Sequence, residues 1–433
     1  MTIPTKVLPG FMELLPAEQI AFERVKAIIQ STYEQFGFIP LDTPVIERAE
    51  VLFAKAGGET EKQIYRIAKG EDELALRFDL TVPLARYVSE HGRDLAFPFR
   101  RYHIGKVYRG ERPQKGRYRE LYQCDIDIIG NESLSLINDA EIPSIIYSVF
   151  TKLDIGPFII RINNRKLITG LLESLGISNL AVEIMRIVDK LEKVGRGSVE
   201  EMLAAAGVPK DAVSKIFKFL DIKGTTTEMI KELRAFGINN ETFEKGISEL
   251  STVVGYLGQL KVSEENYVID LSISRGLDYY TGTVYETKLV NYPEIGSICS
   301  GGRYDNLTSE YSSKKLPGVG ISIGLTRLFY QLLEAGLIKT ERATTAKVLV
   351  IPLVDDMTVP LEIASSLRVA GINTEVYLED AKMKSKLAYA DKIGVPYTLL
   401  IGEDEIKSGK FTLKNMLTGE QTSVTAQEIA SKI

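Results

Sequence analysis

The chain reads as an α+β protein carrying a helical insertion, followed by a separate α/β domain. Three observations predict this. Between residues 72 and 130, and again from 267 to 323, short strand-like runs alternate with turns. From about 165 to 260, apolar residues recur at spacings of three and four, the helical period. From 347 onward, strand and helix patterns alternate, as in a small parallel sheet. A length of 433 residues exceeds what one core ordinarily organises and agrees with such a division.

Residues 16–34 form an amphipathic helix that ends at Gly37. The two prolines of GFIPLDTPVIE (37–47) keep the next stretch extended, because proline is unwelcome inside a helix. In LRFDLTVPLARY (76–87), Asp79 and Thr81 stand at a strand end and Pro83 can open a helix; Thr81 also fits a plain N-cap. The stretch FRRYHIGKVYRGERPQKGRYRELYQCDIDIIG (99–130) reads as a β-hairpin with a nine-residue loop, roughly 110–118. Alternation puts Tyr102, Ile104, Cys124 and Ile126 on one face and Arg109, Arg119, Gln123 and Asp127 on the other. PFIIRIN (157–163) is a strand. LLESLGI, EIMRIVDKL and SKIFKFLDI then supply helices, with Gly or Pro between them. YVIDLSI (267–273) and VYETKL restore the strand pattern, and GVGISIGLTRLFYQLLEAG (318–336) is a glycine-rich strand running into a helix. Residues 337–346 are a polar linker. Beyond it, AKVLVIPL, TVPLEIASSLRVAG, INTEVYLE, AKMKSKLAYADKIG and VPYTLLIG read as βαβαβ, with Lys382, Lys384 and Lys386 clustered in one helical region.

Composition narrows the chemistry. A hydrophobic share of 44% and a charged share of 26% are those of a soluble globular chain. The start MTIPTKVLPG has no apolar signal region, and no apolar run approaches the roughly 18 residues of a membrane span, so a cytoplasmic location is expected. Two cysteines, Cys124 and Cys299, are too few for a disulfide framework or a thiolate zinc site. Two histidines, His91 and His103, leave no multi-imidazole metal centre. Carboxylates, arginines, tyrosines and backbone must therefore carry the reaction. The net charge of -5 argues against wholesale electrostatic binding of nucleic acid but permits local basic sites. One such site is residues 100–119, which hold eight Lys or Arg against the single acid Glu111, an excess that points to phosphate. The competing reading of that hairpin is a sheet with its polar face in water. DLSISRGLDYYTGTVYE (270–286) places Arg275 beside Gly276 and before the pair Tyr279 and Tyr280. In GVGISIGLTRL (318–328), Gly318, Gly320 and Gly324 let backbone approach a flat ligand, and Arg327 follows on the first helical turn.

In this order and spacing the segments resemble the histidyl-tRNA synthetases, a class II family, over essentially the whole chain. GFIPLDTPVIE resembles class II motif 1, which lies at the dimer interface. YRGERPQKGRYRELYQCDIDIIG resembles motif 2 and GVGISIGLTRL motif 3. RGLDYYTGTVYE and SGGRYDNL (300–307) resemble the two histidine-specific motifs, and DLTVPLAR is the version similar to the archaeal and eukaryotic branch. The resemblance implies an antiparallel sheet flanked by helices over residues 1–336, with the insertion at about 165–260, and an anticodon-binding domain over 347–433. It implies ATP as substrate with Mg2+, histidine and tRNA(His) as partners, and a homodimer through the motif 1 region. It also assigns roles. Arg109 would hold the α-phosphate, Glu111 the adenine side, and Arg117 and Arg327 the outer phosphates, with Gly324 beside the nucleotide. Arg275 would face the α-phosphate and the substrate carboxylate where other class II enzymes use a metal; Arg109, Arg275 and Arg327 would carry catalysis. Asp79, Thr81 and Gln123 would bind the ammonium end of histidine, while Asp127 and Tyr280, with Tyr279 nearby, would read the imidazole. A histidine-binding regulatory paralogue is the alternative; such chains typically lack the C-terminal domain and parts of the histidine-specific motifs.

Overall fold

The computed structural model describes residues 3, 5–54, 59–112, 116–273 and 280–433. Contacts divide the chain into two compact units, Met1–Met12 with Lys26–Leu337, and Glu13–Val25 with Ile338–Ile433.

In the larger unit the strands are β1 (Ile39–Pro40), β2 (Ile46–Arg48), β3 (Arg66–Lys69), β4 (Asp72–Leu76), β5 (Phe99–Tyr108), β6 (Glu120–Ile129), β7 (Phe158–Asn164), β8 (Tyr267–Ile269), β9 (Thr283–Leu289), β10 (Ser297–Tyr304) and β11 (Gly318–Ile323). Eight of them form one sheet in the order β1-β5-β6-β11-β10-β9-β7-β8, and β2-β4-β3 form a small second sheet. The large sheet is antiparallel except at its two ends, where β1 joins β5 and β8 joins β7 in parallel. It is therefore a mixed sheet, with the expected antiparallel pairing throughout its interior.

The β5–β6 hairpin runs in unbroken register from Phe99 opposite Ile129 to Tyr108 opposite Glu120. Its apolar face is covered by helix: the Tyr33 hydroxyl donates to the Cys124 carbonyl at 3.1 Å, and the Tyr33 ring lies 6.2 Å from that of Tyr102. Its polar face is left to line a cavity. Helix Ile137–Leu153 is bolted to β9 and β10 by a buried ion pair, Arg303 to Asp139 at 2.7 Å, with the Thr283 hydroxyl donating to the same carboxylate at 2.8 Å. Burial raises the pKa of Asp139 in spite of Arg303. Arg303, from SGGRYDNL, is thus a structural residue.

The stretch after β7 is helical: Arg165–Ser174, Ala181–Val188, Leu191–Ala205, Lys210–Leu220, Thr226–Ala235 and Glu241–Leu257. Local chemistry starts three of these helices. The Asn164 side chain accepts from the Lys166 N–H, Asn240 accepts from Phe243, and Thr225 forms a reciprocal capping box with Glu228. The first and last helices meet through glycine. A Cβ on Gly170 would stand 2.4 Å from the Phe243 nitrogen, so no larger residue permits this approach.

The smaller unit holds β12 (Val348–Pro352), β13 (Thr374–Val376), β14 (Tyr397–Ile401), β15 (Phe411–Asn415) and β16 (Gln421–Val424), ordered β13-β12-β14-β15-β16. The first three are parallel, as βαβαβ predicts, and β15 and β16 add an antiparallel hairpin that the sequence pattern did not expose. Val348, Val350, Leu399 and Ile401 fill the core on one face, and Leu349, Ile351 and Ala390 on the other. Lys386 does not join a solvated basic face. It is buried, its Nζ donates to the Pro352 carbonyl at 2.8 Å, and it lies over the Tyr377 ring.

Candidate active site

The polar face of β5 and β6, continued by β11, β10 and β9, lines a cavity of about 580 Å³. Ten sequence-predicted site residues line it together: Asp79, Thr81, Arg109, Glu111, Arg117, Gln123, Asp127, Tyr280, Gly324 and Arg327. Arg275 and Tyr279 fall outside the described residues, as do Pro113, Gln114 and Lys115 of the hairpin loop.

One end of the cavity is cationic. Arg109, just past β5, is held by its Nε on the Phe78 carbonyl at 3.0 Å and by Nη2 on Gln123 Oε1 at 3.3 Å. Arg327, on the first turn of helix Leu325–Glu334, donates to the Ile295 carbonyl at 2.7 Å, while its buried Nε has no partner among the described residues. Burial and then the charge of Arg117 lower the pKa of Arg327, opposed by Glu111. Two guanidiniums that disfavour one another, with donors to spare, form a seat for an anion. The Glu111 carboxylate stands 3.6 Å from Arg117. Gly324 precedes the helix, and a Cβ there would meet open space.

The other end is acidic and dry. Asp79, Asp125 and Asp127 are each no more than 3% exposed. Asp79 Oδ1 accepts the Val82 N–H at 3.0 Å in the first turn of helix Thr81–His91, whose N-cap is Leu80 and not Thr81; the Asp79 Oδ2 has no partner among the described residues. Burial pushes the Asp79 carboxyl up to about 6 against the pull of that backbone bond and of Arg109. Gln123 passes the contact from Arg109 onward, its Nε2 donating to Ser322 Oγ at 2.6 Å. Asp127 is gripped twice: Oδ2 lies 2.5 Å from Arg101 Nη2, and Oδ1 accepts the Tyr304 hydroxyl at 2.7 Å. Burial raises its pKa, and Arg101 and Tyr304 oppose the rise.

Three residues here were missed at the sequence level. Tyr304 stood unassigned within SGGRYDNL. Arg101 was counted in the phosphate-directed excess, yet it is fully buried behind Asp127. Asp125 shared the alternation of Gln123 and Asp127 and was passed over. Half of the excess is structural, Arg101 included. Arg100 bridges Glu141 at 2.8 Å, Lys106 bridges Glu120 at 2.8 Å, and Arg119 turns away to the Glu111 carbonyl at 3.1 Å. The glycines also divide. A Cβ on Gly318 would fall 2.4 Å from the Tyr304 ring, and one on Gly320 would fall 2.3 Å from Asp127 Oδ1. Both admit protein side chains, so only Gly324 faces free space as a ligand-facing glycine should.

A cavity lined by three arginines and by buried carboxylates fits a ligand carrying anionic and cationic groups together. Its walls supply charge and position, with no serine, cysteine or histidine nucleophile required.

Comparison with known proteins follows the same division. Residues 10–328 match the family described as histidyl-tRNA synthetase, and residues 347–433 match the family described as anticodon binding domain. The histidine–tRNA ligase of Clostridium tetani is 58% identical over 427 residues, spanning 98% of this chain and 97% of that one. That of Finegoldia magna is 48% identical, with both chains fully covered. The crystal structure of histidyl-tRNA synthetase from a Nostoc species covers both chains completely, with a TM-score of 0.92 at 40% identity.

Proposed function

The chain belongs to the histidyl-tRNA synthetase family, and from that premise we propose that its charged cavity binds histidine and ATP end to end. The activity is that of a histidine–tRNA ligase. The histidine carboxylate attacks the α-phosphorus of ATP, the bond to the β-phosphate bridging oxygen breaks, and pyrophosphate leaves. The 3′-terminal hydroxyl of tRNA(His) then displaces AMP from the adenylate. The observation that supports the residue roles is that Arg109, Arg117 and Arg327 line one cavity together with the buried carboxyl groups of Asp79 and Asp127.

The roles are those that membership of the family implies for these positions. Arg109 takes the α-phosphate, Arg117 and Arg327 the outer phosphates, and Glu111 with Gly324 the nucleoside. Asp79, Thr81 and Gln123 receive the ammonium group, and Asp127 with Tyr280 reads the ring. Arg275 and Tyr279 complete the set. Mg2+ belongs with the triphosphate: among the described residues no three carboxylate, histidine or cysteine side chains are placed to hold a metal ion, while ATP supplies its own oxygens. When bound, the ion neutralises charge on the leaving pyrophosphate. ATP–pyrophosphate exchange with each amino acid tests the assignment. Exchange with histidine alone is expected; exchange with none, or with another amino acid, overturns it.

Residues 347–433 take the anticodon, whose unpaired bases are read by stacking and edge hydrogen bonds. A homodimer through residues 37–47 accords with Ile39, Val45 and Ile46, which are large, apolar and exposed in the single chain. Light scattering should give twice the monomer mass, and charged residues at Ile39 and Ile46 should halve it. No helix of the described residues is long and apolar enough to cross a membrane, in keeping with a cytoplasmic enzyme.

Gly320→Ala tests the floor of the amino-acid end. The added methyl meets a backbone carbonyl, Ile126 O, at 2.3 Å as well as Asp127, so neither rotamer change nor a small shift relieves it. Overpacking of this kind costs about 1–3 kcal/mol. The KM for histidine should rise roughly tenfold or more, while the KM for ATP, bound at the other end, stays within about twofold. An equal rise in both would mean that the strand, not the histidine seat, had been damaged.

A further inference from the structure

Behind the amino-acid contacts, one guanidinium bonds to one buried carboxyl group and acts on two more only through its charge. Arg101 bonds directly only to Asp127 and, at 3.2 Å, to the Leu80 carbonyl; its Nε and Nη1 have no partner among the described residues. Asp79 and Asp125 complete the trio, and each leaves one oxygen unpartnered among the described residues, Oδ2 of Asp79 and Oδ1 of Asp125. Both side chains line the cavity. Asp125 lies two residues from Gln123 and two from Asp127 on the same strand face, midway between the proposed ammonium and imidazole contacts. Asp127 already carries Arg101 on one oxygen and the Tyr304 hydroxyl on the other.

A buried carboxyl group with an unfilled oxygen demands a donor, and a cation satisfies it best. The one full positive charge on histidine at neutral pH is its α-ammonium. We infer that Asp125 is a further histidine-contacting residue whose free oxygen receives the substrate ammonium together with Asp79. This rests on the placement of histidine proposed above and adds to it a fourth carboxamide or carboxyl group, after Asp79, Gln123 and Asp127.

The protonation of Asp125 supports the assignment. Burial lifts its carboxyl to about 7; Arg101 and the Ser322 hydroxyl lower it, and Asp127 and Asp79 raise it further. The other groups facing it are His103, opposite on β5, Tyr33 from the covering helix, and the two buried thiols Cys124 and Cys299. An ammonium group placed against the free oxygen favours the ionised form. Ligand binding below pH 7 should therefore release a fraction of a proton from Asp125, with a smaller share from Asp79, whose carboxyl is raised to about 6.

The experiment compares two histidine analogues on the full chain and on Asp125→Asn. L-histidinol keeps ammonium and ring, and imidazole-4-propionate keeps the ring without the ammonium. Asn keeps the shape and loses the charge, so histidinol should bind about ten- to a hundredfold more weakly to the variant. Imidazole-4-propionate should change by less than about twofold. Equal weakening of both would assign Asp125 to the ring or to the shape of the pocket, and no weakening would remove it from the site; either overturns the inference. Calorimetry of histidinol binding to the unmodified chain, in two buffers of different ionisation enthalpy at pH 6.5, gives a second reading that needs no variant. Proton release is expected there and should fade by pH 8.5; its absence at pH 6.5 overturns the inference even if Asp125→Asn does not fold. Should the unmodified chain fail to prefer histidinol over imidazole-4-propionate, the placement of the ammonium beside Asp79 itself falls, an outcome distinct from failure at Asp125 alone.

Discussion

Arg109→Ala is expected to lower histidine-dependent ATP–pyrophosphate exchange by roughly 10²–10³-fold without unfolding the protein, the usual loss when one pre-organised charge donor is removed from a reacting centre. The side chain is half-buried and held at two points, the Phe78 carbonyl and Gln123, so its guanidinium is aimed before ATP arrives. Pre-organisation of this kind acts on the transition state, and the fall should appear in kcat more than in the KM for ATP. Arg109→Lys should recover little, because an ammonium group cannot hold two fixed acceptors in one plane. Loss of Arg109 also frees Gln123 Oε1, so a modest rise in the KM for histidine should accompany the main effect. Near-normal exchange by the folded variant would remove Arg109 from the reacting centre.

Asp127→Ala is expected to damage both stability and amino-acid selection. It strips the fully buried Arg101 of its direct ionic partner and removes the carboxylate to which the Tyr304 hydroxyl donates. Breaking one partner of a buried pair costs about 3–5 kcal/mol, because the surviving charge stays desolvated. The first denaturation transition should shift accordingly, and kcat/KM for histidine should collapse by more than that for ATP. A pocket that recognises a ring N–H through a buried acceptor rejects analogues lacking the donor by roughly 10⁴–10⁵, and that discrimination should vanish. Asp127→Asn separates the two effects, since its Oδ1 still accepts from Tyr304 while the charge on Arg101 goes unanswered. A variant in which Asp127→Ala retained histidine selectivity would move ring recognition elsewhere in the cavity.

Much of this organisation was legible before any coordinates. Alternation along residues 99–109 and 119–127 placed Arg109, Gln123 and Asp127 on one face, because a strand of period two has no other choice once its aromatic side is buried. The helical period from about 165 to 260 is a local signal and survives into the fold, while the caps at Asn164, Thr225 and Asn240 emerge only with the structure. The histidine-family motifs likewise lie in contiguous sequence, so Asp79, Arg327 and Tyr280 could be named although they stand far apart along the chain. What composition could not tell was the destination of charge. Arg100, Arg101, Lys106 and Arg119 look alike in a basic run. Only their neighbours across the sheet and from the helices turn one into a buried counter-ion, two into salt bridges and one into a brace for the loop. Lys386 is a similar case, a lysine that reads as surface and is buried because Pro352 offers it a carbonyl. The antiparallel hairpin β15–β16 and the parallel edge pairs of the large sheet are also products of long-range pairing. From its own residues the chain determines which side chains share a face; desolvation and cross-strand partners, which exist only once distant segments meet, decide which of those charges are left free to bind a substrate.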